Sequence, residues 1–428
     1  MFVVEFTCGL PNGNSIGMMI FPWPSDLFNV DGRIVMSRMK PRFHWQRTRA
    51  SAVAAVGVCL LLAAGWWQTL FVHRQIPTTH FSDVRPPVAS DRCAACHSGQ
   101  AESLRQAPHS VTLQPGSSEA VRTLFDRLEY RNPDVDSVTD RFEVRDQSLW
   151  RRSTALPDAV PIDWVFGSGR HARTPVTVFK EHDGGIEIVE HRLSFYPGIG
   201  LDLTLGNSDA SLRRPGWHGV GNRLSSVDAA DCFGCHSSWL PENQGHLDLS
   251  RIRAGVQCSR CHQEGEAHID AANAGKTNLN HPLWSELSPL DSIRRCGECH
   301  RRDDQMTPFE LRTTNPLLVR FAPAGLSQSR CFTRQDRLAP AASGAKLRLD
   351  CITCHDPHRP AETNPQYYVD RCLNCHNEQT RPAIVCLVES RPQNCLDCHM
   401  PRVEVQSHLS FTDHWIRRRP EQRAASTP

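Results

Sequence analysis

Apolar and polar positions along this chain fall into three regimes. The first is a run from Ser51 to Val72, interrupted only by Ser51, Gln68, Thr69 and glycines. A run of that length predicts a helix long enough to span a bilayer. The basic flank Arg38, Lys40, Arg42, Arg47 and Arg49 predicts an N-inside orientation, with Trp66 and Trp67 at the outer interface. A cleaved signal with Leu62-Ala63-Ala64 as its small-residue site is the competing reading. Because the apolar run continues past that site, an uncleaved anchor is favoured.

The second regime is alternation. Pro175 to Lys180 and Ile186 to Val189 flank His182-Asp183-Gly184-Gly185 and predict a β-hairpin, with a further strand from Leu193 to Tyr196. The third begins at Cys232. Proline and glycine punctuate the chain there, leaving room for short helices and loops. The expected fold class is therefore mainly α and irregular, with a small β-containing insertion and one N-terminal transmembrane helix.

The organisation follows. Residues 1–50 are a basic N-terminal segment or leader, with Met36 and Met39 as alternative starts, and 51–72 are the anchor or signal. Residues 73–90 form a proline-containing linker. Residues 91–130 are a first cysteine-bearing segment, 131–225 the β-containing insertion, 226–415 a cysteine-dense domain and 416–428 a tail.

The chemistry lies in a repeated five-residue pattern. Cys-x-x-Cys-His occurs at Cys93-Cys96-His97, Cys232-Cys235-His236, Cys258-Cys261-His262 and Cys296-Cys299-His300. It recurs at Cys351-Cys354-His355, Cys372-Cys375-His376 and Cys395-Cys398-His399. Two thiols on one helical turn can add to the two vinyl groups of one porphyrin, and the next residue then lies under the iron as its proximal ligand. Zinc sites also use Cys-x-x-Cys, but they give no reason for a histidine after every second cysteine. Seven covalent c-type haems are expected.

Six of these patterns crowd into residues 226–415, too little chain to bury a separate apolar core around each. The porphyrins themselves must supply much of the buried surface. The formal net charge of +2 excludes a strongly basic nucleic-acid binder. Haem attachment to thiols takes place outside the bacterial cytoplasm, so the chain must be exported to the periplasmic side of the cytoplasmic membrane.

A six-coordinate iron needs a second ligand. Outside the patterns the candidates are His109, His171, His268, His358, His408 and His414, with His218, His246 and His281 behind them. His358 cannot reach the far face of a haem held by His355, because three residues cannot wrap a porphyrin. It must serve a neighbouring haem. His182 and His191 lie in the hairpin and are expected at the surface. Cys331 and Cys386 are left over, either paired in an oxidising compartment or separately buried.

Three stretches carry a family resemblance. The first runs from Cys258 to His268 (C-S-R-C-H-Q-E-G-E-A-H). The second is S-R-C331-F followed by L-D-C351-I-T-C-H-D-P-H358. The third is C395-L-D-C-H-M-P with F-T-D-H414-W-I. Together they resemble multihaem c-type cytochromes related to the tetrahaem electron acceptor of hydroxylamine oxidoreductase and, more distantly, pentahaem nitrite reductases. The resemblance implies close-packed haems passing electrons between redox protein partners. The chain departs from the catalytic members. It has no Cys-x-x-Cys-Lys motif and no tyrosine after the last pattern. The expected function is a heptahaem electron carrier of a periplasmic respiratory chain. The alternative is an oxidoreductase acting on a small nitrogen or sulfur compound at one open-coordinated haem.

Overall fold

The computed structural model describes residues 86–133, 139–276, 284–337, 348–376 and 394–417. All belong to a compact unit running from Gln68 to Pro428.

β-structure is far more extensive than a small insertion. An antiparallel five-stranded sheet is ordered Leu113–Pro115, Trp164–Phe166, Thr174–Lys180, Ile186–His191, Gly221–Leu224. Beside it lies an antiparallel meander of Glu129–Arg131, Thr139–Arg145, Ser148–Ser153 and Val160–Ile162. The hairpin expected around Gly184-Gly185 is present, with Thr177 opposite Val189 and Lys180 opposite Ile186. Four two-stranded ribbons complete the described sheet structure. The expectation of a mainly α and irregular chain is therefore corrected. Its physical cause is polar disguise. The strand Ser148–Ser153 (S-L-W-R-R-S) buries Leu149, Arg151 and Ser153 on one face, and the buried arginine hides the alternation.

The transmembrane helix is corrected too. Among the described residues no helix is long and apolar enough to cross a membrane. The longest, Pro289–His300, has 12 residues, which rise about 18 Å against a hydrocarbon core of about 30 Å. The Ser51–Val72 run lies outside the described residues.

Two cores sit in the β-rich part. Val121 and Phe125, from a helix capped by Ser118, pack on Phe142, Leu149, Ile162 and Val165. Leu113, Val176, Ile186 and Ile188 pack on Ala229, Phe233 and Leu240. Ala229 and Phe233 belong to the helix Ser226–His236, which Ser225 and Asp228 start with reciprocal capping hydrogen bonds. The second core thus clamps the Cys232 turn onto the sheet. Among the described residues from Ile293 onward the buried apolar clusters are small, three residues each: Ile293, Leu326 and Phe332, and Met306, Leu318 and Ala324.

Candidate haem centres

Every Cys-x-x-Cys-His pattern lies on or at the end of a helical turn. Separate short helices carry Cys258–Cys261, Cys351–Cys354 and Cys395–His399. Cys232–His236 and Cys296–His300 end longer helices. Cys93 and Cys372 lie near the ends of Ser90–Ala94 and Pro365–Leu373. The local closure repeats. The backbone N–H of His97, His262, His355 and His376 donates to the carbonyl of the first cysteine, each at 2.9 Å. That bond winds the histidine back onto the face that presents both thiols.

The structure then brings motif histidines to other histidines. Ring centres are 6.2 Å apart for His97 and His268, and 6.3 Å apart for His262 and His358, His300 and His109, and His355 and His414. Metal–imidazole bonds are about 2 Å long and a ring nitrogen lies about 1.1 Å from its ring centre, so two imidazoles sharing one metal place their centres about 6.2 Å apart. All four pairs match that separation.

Ring orientation agrees. Nδ1 of His236 lies 2.8 Å from the Thr112 carbonyl oxygen, and Nδ1 of His109 lies 3.2 Å from that of Pro357. His414 Nδ1 meets the Thr412 carbonyl oxygen at 2.9 Å, and His358 Nδ1 meets Asp356 Oδ1 at 3.0 Å. An oxygen acceptor at Nδ1 fixes the proton there and leaves the Nε2 lone pair for a metal. The backbone holds two of these rings in place. Val256 N donates to the His109 carbonyl at 2.8 Å and Gly255 N to the His236 carbonyl at 3.0 Å. A Cβ at Gly255 would lie 2.1 Å from the Ser110 carbonyl oxygen, so only glycine permits this approach.

The electrostatics favour neutral rings, the ligand form. Burial first, then the neighbouring histidines led by His109, pushes His300 down to about 4. Burial, then His414 and Arg170, pushes His355 down to about 4. Burial also lowers His236 and His414. His300 nonetheless keeps open surface. Thiols of different turns meet as well: Cys93 with Cys258, Cys235 with Cys299, Cys296 with Cys351 and Cys372 with Cys395. The hydrogen bond from Cys235, with help from Arg260 and against burial, draws Cys299 down to about 6. Paired imidazoles with two thiols on the adjoining turn fit a covalently attached haem.

The remaining candidates stand elsewhere. His171 packs on Phe411 with ring centres 4.6 Å apart. Burial, then Arg170 and Arg402, lowers its pKa. His408 turns the ribbon Arg402–Gln406/Leu409–Thr412 at φ 65° and sets Nε2 3.9 Å from Asp202 Oδ2. His218 lies on the helix Trp217–Val220, and its carbonyl accepts from Arg192 Nε at 2.8 Å. His246 lies against Gly184 in the β-rich part. His281 and Cys386 lie outside the described residues, and burial raises the Cys331 thiol. His182 is exposed, whereas His191, expected at the surface, is fully buried.

Among known proteins, the cytochrome c554 and c-prime family matches residues 219–263. That segment contains the Cys232–His236 and Cys258–His262 patterns. The match supports a multihaem c-type cytochrome with covalently bound haem and an electron-transfer role. A comparison with curated proteins finds no match. Among solved structures, the crystal structure of the outer cell wall cytochrome OcwA aligns with a TM-score of 0.48 at 15% identity, over 77% of this chain and 79% of that chain.

Proposed function

We propose that the chain is a heptahaem c-type cytochrome that relays electrons outside the cytoplasm in a respiratory chain. Within that class we place it with relatives of the tetrahaem electron acceptor of hydroxylamine oxidoreductase. The carrying observation is the four histidine pairs at 6.2–6.3 Å, each joining a motif histidine to one from outside the motifs. Haem, when bound, supplies reversible one-electron chemistry at iron.

The chain's own residues do the rest. Two thiols per turn fix the cofactor. In four pairs the motif histidine and its partner from outside the motifs are the residues that would hold the iron. Oxygen acceptors at Nδ1 hold the rings of His109, His358 and His414 and leave Nε2 as the ligand atom. Histidine pairs held this firmly would keep both ligands through a change of iron charge, which suits a carrier.

Electron paramagnetic resonance of the oxidised holo-protein tests this reading, alone and with nitrite, hydroxylamine or sulfite. Low-spin signals indifferent to all three are expected. A stoichiometric high-spin signal that one of them abolishes would overturn the relay in favour of an enzyme acting on that compound.

A further inference from the structure

We infer that the seven attachment turns form a branched array with the Cys296–His300 turn as its hub, an inference that rests on the cytochrome reading above. Three other patterns touch that turn, and so does one histidine from outside the patterns. The helix Pro289–His300 packs on the helix Ser226–His236 and on the turn Cys351–Cys354. Cys235 Sγ lies 3.8 Å from the Glu298 carbonyl oxygen, beside the Cys299 thiol. Cys296 meets the Cys351 thiol. Arg260, between Cys258 and Cys261, reaches Cys299 Sγ at 3.7 Å, and Arg295 reaches back to the Cys261 carbonyl at 3.4 Å. His109, from the first haem segment, stands 6.3 Å from His300.

Two arms leave the hub. One runs through the Cys258 turn to the Cys93 turn. The helix Ser90–Ala94 packs on Cys258–Cys261, the Cys93 and Cys258 thiols meet, and His268 faces His97. The other runs through Cys351–Cys354 to Pro365–Leu373 and on to Cys395–His399, where the Cys372 and Cys395 thiols meet. The Cys232 turn is a side branch: among the motif thiols it is joined at Cys299, Phe233 docks it on the sheet, and His236 is tied by hydrogen bonds to Gly255 and Thr112. The tips of the two arms differ from the turns between them. Cys96 and Cys398 are exposed, and the other twelve motif cysteines are half-buried. The first and last turns are therefore where a redox protein can come close, and the Cys232 turn is reached through the hub.

Spin–spin coupling between neighbouring centres tests the array in holo-protein. Cys296→Ser/Cys299→Ser removes the hub site and Cys232→Ser/Cys235→Ser the branch site. Intact mass confirms the loss of one haem in each. In paramagnetic resonance, loss of the hub should relieve coupling at three other centres, and loss of the branch at one. A branch variant that alters two or more centres, or a hub variant that alters one or none, overturns the array. His109→Met keeps every attachment and reads the same relation if the hub variant misfolds. The signal that the branch variant identifies as the Cys232 centre should shift with it, and an unshifted signal overturns the array. Wild-type protein lacking covalent haem would instead overturn the cytochrome reading itself, before coupling is measured.

Discussion

His262 and His358 stand with ring centres 6.3 Å apart and ring planes within 9° of each other. His358 follows His355 by three residues, yet its ring turns to the Cys258 motif. Asp356 directs it, accepting both the backbone N–H and the Nδ1 proton of His358 at 3.0 Å. His358→Ala should leave every haem attached and convert one low-spin centre to high spin. Intact mass together with the high-spin charge-transfer band checks this. A spectrum unchanged from wild type would show that His358 is not a ligand.

Asp356 tunes the same site. A carboxylate at Nδ1 makes the imidazole a stronger donor and favours the ferric state. Asp356→Asn should raise the midpoint potential of one centre, and a tenfold loss of that preference corresponds to about 59 mV for one electron. Spectroelectrochemical titration reads it. Arg359→Gln is the control. It removes a charge 3.4 Å from Asp356 Oδ2 without touching the ring contact.

The β-rich part has its own critical pair. Arg151 and Asp140 are fully buried, with Arg151 Nε and Nη2 on Asp140 Oδ1 at 3.0 and 2.9 Å. Removing one partner strands a buried charge, so Arg151→Ala should cost about 3–5 kcal/mol. Arg151→Met combined with Asp140→Leu should recover most of that. Urea denaturation followed by tryptophan fluorescence measures both variants.

His191 makes the same region acid-sensitive. Arg151 Nη1 donates to its Nδ1 at 3.0 Å, and its Nε2 proton faces Thr177 Oγ1 at 3.0 Å, whose own proton goes to the Pro161 carbonyl. Burial, then Arg151, holds its pKa well below the usual imidazole value. The unfolded chain therefore takes up a proton near pH 6.5 that the folded chain refuses. Stability should fall as pH drops below that value, by up to about 1.4 kcal/mol per pH unit for one proton. His191→Gln should flatten the dependence between pH 7 and 5, as read from urea midpoints.

Legibility in the sequence followed the range of the interactions. The attachment turns depend on five consecutive residues, so spacing alone revealed them. The hairpin around Gly184-Gly185 was equally local. The partner of His300 was not legible, because His109 reaches it across most of the β-rich chain, held by contacts with Val256, Pro357 and the Gly255 crossing that are all distant in sequence. The strands from Glu129 to Ser153 were missed because arginine occupies their buried face, where neutralisation by Asp140 replaces apolar packing. His191 read as a surface residue for a related reason: its ring's partners, Arg151 and Thr177, come from two other strands.

Intact-mass spectrometry of the protein matured in a haem-attaching host tests the central claim most directly. Seven Cys-x-x-Cys-His turns predict an increment of seven covalent haems, retained after denaturation. A homogeneous product with an increment of six or fewer would show that a turn goes unused. A chain with no increment would contradict the account.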